Sequence, residues 1–343
     1  LKQAAENFFV EPYEFTVIGN STGYSGSQMA QVIDAQGQIW CVRLWVDESI
    51  ETLRFMHRVL QHSVAQGVCG LPHLVQNETG DSLIAIDNCW AEAQSWIPGA
   101  PLHKLTKASS VERTPNTGYA ATADERRQIA TSLAAFHAST TNLPILGTPP
   151  PALAASWETP TAYVATALME NENARTRKLR LTSEKEALIY MWQTQLLQLA
   201  EALELQVTKT FTGSTTVVVC HGDLWPDHTY FQDAQFSGFV DFGALRYSSP
   251  ALDLAHLILH FGGWHTAYEV LSTYIPLFSL TEQDCALVTQ FAAWDLIYEG
   301  CWTLQELQKE QLPEIERQAH WHNLRFLLPS IEAVTHELLK KRD

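Results

Sequence analysis

The sequence predicts an α+β protein of two lobes, a small β-rich N-terminal lobe over residues 1–93 and a larger, mainly helical C-terminal lobe over residues 94–343. Three observations predict it. Up to about residue 90, short apolar runs separated by glycine turns read as strands, with one helix among them. Beyond about residue 95 the apolar spacing becomes helical. Within that helical half, Val217 to Asp253 inserts three short β runs, broken at His221-Gly222-Asp223 and at Gln232 to Gln235, and delivers Asp241-Phe242-Gly243. A chain of 343 residues is long for one core and comfortable for two lobes.

Taken in order, Tyr13 to Ile18 is a strand, Gly19 to Ser27 a glycine-rich turn, and Met29 to Asp34 the returning strand. Ala35-Gln36-Gly37 turns the chain into a third strand, Gln38 to Val46, which carries Arg43. Glycine lets backbone N–H groups approach a phosphate closely, although an ordinary hairpin has the same composition. Asp47 to Gln66 has helical spacing through Ile50, Leu53, Met56, Val59 and Leu60. Leu74-Val75 and Leu83 to Ile86 read as two further strands around the turn Asn77 to Gly80. Glu92-Ala93-Gln94-Ser95 is polar and small, and reads as a connector between the lobes.

In the second lobe, Thr122 and Glu125 form a capping box for a helix through Ile129, Leu133, Phe136 and His137. Ser183 and Glu186 are expected to cap a long helix to about Leu205. Leu252 to Phe261 reads as a buried helix, Thr281 and Asp284 cap another, and Glu314 to Lys340 is the last. Loops 104–123 and 143–160 are rich in small and polar residues or proline, and with the C-terminal helices they would shape a substrate pocket. Trp294, Tyr298 and Trp302 form an i, i+4, i+8 stripe, the spacing of a packed helix face, with Asp295 and Glu299 on the neighbouring face.

Hydrophobic content of 46% and charged content of 17% predict a folded chain. A net charge of −16 disfavours nucleic acid or an anionic membrane as partner and is compatible with a cationic small molecule. Six cysteines without a C-x-x-C pair suit reduced thiols in a cytoplasmic protein. No stretch of about 18 apolar residues is present. Asp223 and Asp241 end adjacent short strands, and a hairpin between them would bring both carboxylates to one edge. That arrangement suits a metal ion beside a reacting hydroxyl.

His221-Gly222-Asp223-Leu224-Trp225-Pro226-Asp227-His228, Gly238 to Gly243, and Leu252-Asp253-Leu254-Ala255 resemble, in order and spacing, three motifs of the aminoglycoside phosphotransferase, choline kinase and homoserine kinase-like group, the small-molecule relatives of protein kinases. Trp96 to Gly99 and Leu133 to His137 resemble weaker signatures of that group. The resemblance spans about residues 12 to 340. It implies a protein-kinase-like fold and ATP-dependent transfer of the γ-phosphoryl group to a hydroxyl of an amino alcohol, aminoglycoside, homoserine-like compound or sugar. It implies Asp223 as catalytic base, Asp241 as ligand of Mg²⁺, and Gly23, Ser25, Gly26, Ser27, Arg43 and Gln94 as nucleotide-binding residues. Asp253 and His221 would brace the site, and Asp295 and Glu299 would receive a cationic acceptor. Two positions depart from the group. Arg43 stands where a strand lysine is usual, and no acid on the following helix is an evident partner for it, Arg58 lying near the expected place. His228 stands where the second metal ligand is Asn. Imidazole suits Mn²⁺ or Zn²⁺ better than Mg²⁺, so His228 as ligand of another metal, His228 as phosphate contact, and a lost second site stay open. The last of these corresponds to a degenerate kinase fold that binds nucleotide or a partner without turnover.

Overall fold

The computed structural model describes residues 1–10, 13–18, 27–46, 48–102, 118–141, 143, 161–167, 183–207, 215–309 and 311–340. The predicted phosphate-turn residues Gly23, Ser25 and Gly26 therefore lie outside the described residues, as do most of the two substrate loops.

A five-stranded antiparallel sheet in the order β1-β2-β3-β5-β4 forms the N-terminal lobe, from β1 (Glu14–Val17), β2 (Gln28–Ile33), β3 (Ile39–Trp45), β4 (Ile84–Ile86) and β5 (Cys89–Ser95). Alternation along β3 and β5 sends Val42, Ala91 and Ala93 to one face, which a short helix α1 (Lys2–Phe8) covers with Ala4 and Ala5. The other face carries Cys41, Arg43 and Trp45, aligned in register with Gln94, Glu92 and Trp90. Helix α2 (Ile50–Ala65) packs there, and Ser49 caps it by accepting from the Thr52 N–H.

Three parts of this lobe differ from the sequence reading. Leu74-Val75, expected as a strand, forms only an isolated bridge from Leu74 to Gln94. Helix α1 was not expected. Residues 92–95 are the end of β5 and not a connector, because their backbone is paired with β3 and Leu74 bridges to Gln94 on the other side. Polar composition hid a buried strand whose Glu92 is hydrogen-bonded to distant His57, at 2.6 Å.

The C-terminal lobe contains α3 (Ala123–Thr140), α4 (residues 161–167), α5 (Ser183–Val207), α6 (Ala251–His260), α7 (Ala267–Tyr274), α8 (Glu282–Glu306) and α9 (Glu314–Lys340). The capping boxes at Thr122/Glu125 and Thr281/Asp284 are both formed. Ser183, expected as a cap, is already the first helical residue of α5. Buried side chains of α4, α5, α6, α8 and α9 form one core around Trp192, Trp321 and Leu296. A second core joins α2 to α3, α6 and α7, so the lobes share packed residues such as Leu53, Phe136 and Phe242. No helix among the described residues is long and apolar enough to cross a membrane.

Between these parts run two small sheets. β7 (Val218–Cys220) pairs with β10 (Arg246–Ser248), and β6 (Ala100–Pro101) pairs with β8 (Thr229–Gln232), which pairs with β9 (Gln235–Phe239). The β8–β9 hairpin turns at Asp233 and Ala234, both at positive φ (50° and 63°), as a tight primed turn requires. Its open end brings His228, just before β8, beside Val240, whose N–H donates to the His228 carbonyl at 2.9 Å.

Candidate active site

Asp253, in the first turn of α6, is fully buried and organises the loop that carries Asp223. Its carboxylate accepts from the N–H groups of His221 (2.6 Å) and Gly222 (2.9 Å) and from His137 Nε2 of α3 (3.0 Å). Tyr274 of α7 holds the other ring nitrogen of His137 at 2.6 Å. Burial disfavours charge on Asp253, but these hydrogen bonds and the imidazoles of His137 and His221 outweigh it and hold the carboxyl well below the usual range. Gly222 has φ +77°, and a Cβ there would lie 2.3 Å from the Ala244 carbonyl, so this turn admits glycine alone without strain.

His221 ties the two motif segments together. Its Nε2–H donates to the Val240 carbonyl at 2.9 Å, and its Nδ1 accepts from the Asp223 N–H at 3.4 Å. Burial lowers its pKa, against the raising effect of Asp253, which keeps the neutral ring that this pair of contacts needs. Asp253 and His221 together hydrogen-bond the backbone of residues 221–223 and of Val240.

Above this frame, Asp223, His228 and Asp241 each offer a ligand atom within 4.8 Å of one another. His228 donates Nδ1–H to the Asp223 carbonyl at 2.7 Å, which leaves Nε2 facing Asp241 Oδ2 at 3.6 Å. A backbone carbonyl on one ring nitrogen fixes which nitrogen is presented to a metal. Burial opposes a charge on His228, yet Asp241 and Asp223 together raise its pKa. Asp241 sits at φ +61°, a conformation that non-glycine residues adopt rarely, with its carboxylate toward Arg43 and His228.

The N-terminal lobe supplies Arg43, whose Nη1 lies 2.9 Å from Asp241 Oδ1. Burial raises the Asp241 pKa, but Arg43 and His228 overcome this and bring it down to about 2. Arg43 also donates Nε–H to Ser27 Oγ at 3.0 Å and lies over the Trp45 ring, 3.7 Å from its centroid. Its cross-strand neighbour is Glu92, and helix α2 presents His57 to Glu92. Ser27 is buried, and Gln94 lies on the same sheet face as Arg43, near the C-terminal end of β5.

A second group of ionisable residues lies on α6 and α8. His260 Nε2 is 2.8 Å and His256 Nε2 3.6 Å from the two oxygens of Asp295, and Trp225, two residues beyond Asp223, stacks on His260 at 3.7 Å between centroids. Glu299 is buried, and among the described residues its Oε2 has no hydrogen-bond partner. Burial first, then the charges of Asp295 and Asp223, push its pKa well up, while the imidazoles of His260 and His256 hold Asp295 low. The sequence reading named Asp295 and Glu299 but not His256 and His260. Their i, i+4 spacing on one helix face was the available signal. The stripe packs sideways, Trp294 on Tyr163 and Trp302 on His320.

Comparison with known proteins gives a consistent picture. The model of the phosphotransferase enzyme family matches residues 16–273. No curated protein matches the sequence significantly. Among solved structures, an aminoglycoside phosphotransferase from Alicyclobacillus acidocaldarius is similar, with a TM-score of 0.67 and 14% identity over 99% of this chain and 95% of that one. Spectinomycin phosphotransferase in complex with ADP and spectinomycin has a TM-score of 0.67 and 12% identity, over 98% of this chain and 97% of that one. The microcompartment-associated aminopropanol kinase has a TM-score of 0.59 and 13% identity, over 99% and 97%.

Proposed function

This chain belongs to the phosphotransferase enzyme family, and from that premise we propose that it transfers the γ-phosphoryl group of ATP to a hydroxyl of an amine-bearing small molecule. The observation that carries this reading is the meeting of Asp223, His228 and Asp241 under Arg43, which arrives from the other lobe. Phosphoryl transfer needs positioned charge more than covalent chemistry, and this cluster provides positioned charge.

Asp223 is half exposed and fixed through its backbone, so its carboxylate can orient the acceptor hydroxyl and take its proton as the new O–P bond forms and ADP departs. Arg43, buried to the guanidinium, supports nucleotide phosphates from the β3 side. Ser27 and the preceding glycine turn, with Gln94 near the end of β5, complete the nucleotide side. Asp241 and His228 Nε2 would hold the divalent ion, and a bound ion neutralises phosphate oxygens. The donor set of carboxylate and imidazole fits Mn²⁺ at least as well as Mg²⁺. Asp295 and Glu299 supply buried carboxyl oxygens near Asp223 for the acceptor's amine, and two of the similar enzymes carry amino compounds in their names.

Asp223→Ala is expected to lower ATP-dependent phosphorylation of an amino alcohol or aminoglycoside panel by at least about 10²-fold, with the thermal midpoint unchanged. Full transfer in that variant removes Asp223 from its role. In His228→Asn, the ratio of rates with Mg²⁺ and Mn²⁺ should move toward Mg²⁺. A ratio equal to that of the wild type would place His228 outside the ion's coordination.

A further inference from the structure

Between α2 and the β4–β5 hairpin lies a cavity of about 290 Å³. It is separate from the cleft that holds Asp223 and Asp241. Arg54 and Arg58, one turn apart on α2, line one wall, and Gln61, Gln76, Ser82 and Trp90 contribute to the rest. Arg54 is exposed and Arg58 half-buried, and among the described residues neither is paired with a carboxylate. In a chain with 22 basic and 38 acidic residues, two unpaired guanidinium groups converging on one cavity are a specific arrangement. Asp81 is the acid on the lining, and its Oδ2 accepts from the Thr79 hydroxyl.

The inner wall is built and buried. His57 holds Ser82 Oγ at 2.7 Å with Nδ1 and Glu92 Oε2 at 2.6 Å with Nε2. Ser82 thus has its hydroxyl fixed at the cavity surface. Glu92 in turn stands directly across the β3–β5 ladder from Arg43, where cross-strand side chains are in contact range. An occupant of the cavity would sit behind His57 and Glu92, the side chains that separate it from the cation of the cleft.

We propose that this cavity is a binding site for a phosphate-bearing small molecule, held by Arg54 and Arg58. Guanidinium groups present forked donors that match phosphate oxygens, and residues four apart on one helix are neighbours that can share one phosphorylated ligand. Gln61, Gln76 and Ser82 add neutral polar groups for the remainder of the ligand, and Trp90 gives it a flat apolar surface. The volume exceeds that of a single phosphate and suits a small phosphorylated metabolite or pyrophosphate. The assignment is independent of the reading of the cleft, since none of its residues belongs to the cluster of Asp223, His228 and Asp241.

Calorimetric titration of the full chain with sodium pyrophosphate at fixed ionic strength tests it, using the wild type and the double variant Arg54→Gln/Arg58→Gln, each alone and with the phosphate-binding cleft saturated by ADP. Both proteins are first checked for a cooperative thermal transition, with the two single variants replacing the double one if it fails. The expected result is pyrophosphate binding to the wild type that persists in the presence of ADP, and about tenfold weaker ADP-insensitive binding for each arginine of the pair removed. Two results overturn the proposal: no binding to the ADP-saturated wild type beyond that of sodium chloride at equal ionic strength, or ADP-insensitive binding of wild-type affinity in the variant.

Discussion

Asp253 and the pair Asp295 and Glu299 are acids enclosed by the same lobe, and they are treated in opposite ways. Asp253 accepts from three donors: two backbone N–H groups and the His137 ring, itself held by Tyr274. Between α6 and α8, Asp295 Oδ2, Glu299 Oε2 and both ring nitrogens of His260 are buried without a well-aligned hydrogen bond among the described residues, although Asp295 and His260 approach to 2.8 Å. Buried polar groups are nearly always satisfied in folded proteins, so an unsatisfied set needs a reason. The completed network fixes the loop under Asp223. On the function proposed above, the incomplete one is where a substrate's own polar groups would supply the missing partners.

Replacing Asp253 is the strongest way to break this contrast. Asp253→Ala leaves the His221 and Gly222 N–H groups and the His137 ring buried without their acceptor. Removing one member of a buried charged network costs about 3–5 kcal/mol. The denaturant midpoint should fall accordingly, and the Asp223 loop should lose amide-exchange protection. A stability loss below about 1 kcal/mol, the scale of an ordinary surface substitution, would show that the network is replaceable and the contrast false.

The sequence displayed the completed network more clearly than the open one. Three ordered motifs put Asp223, Asp241 and Asp253 in place because local order sets them: a β-branched strand, a glycine at positive φ, a hairpin, and an acid in a helix's first turn. What joins them was not legible. His137 lies 116 residues from Asp253, and His57 lies 35 from Glu92, and no spacing rule reaches across such distances. The same blindness made the end of β5 look like a connector, because a buried glutamate reads as polar until its partner is known. Helix α1 escaped because seven residues with two buried alanines carry little periodic signal. His256 and His260 were readable as an i, i+4 pair, but only the opposing Asp295 of α8 gives that pair a meaning.

A subtler test uses the sign of proton linkage, which differs between the two regions. Asp253 is held below its ordinary pKa, so its contribution to stability is present above the ordinary value of 3.8 and is lost as the pH falls below it. Glu299 is pushed above its ordinary value of 4.5, chiefly by burial and then by Asp295 and Asp223. The folded protein then keeps a proton that the unfolded chain has already released. Stability from this group is therefore complete below pH 4.5 and declines as the pH rises toward the folded-state value. Glu299→Gln has no proton to lose and nearly the same shape. Its thermal midpoint should match that of the wild type near pH 4.5 and exceed it progressively as the pH rises through neutrality. Parallel curves for the two proteins over that range would mean that Glu299 is already partnered, and the open region on α8 would then be as complete as the network around Asp253.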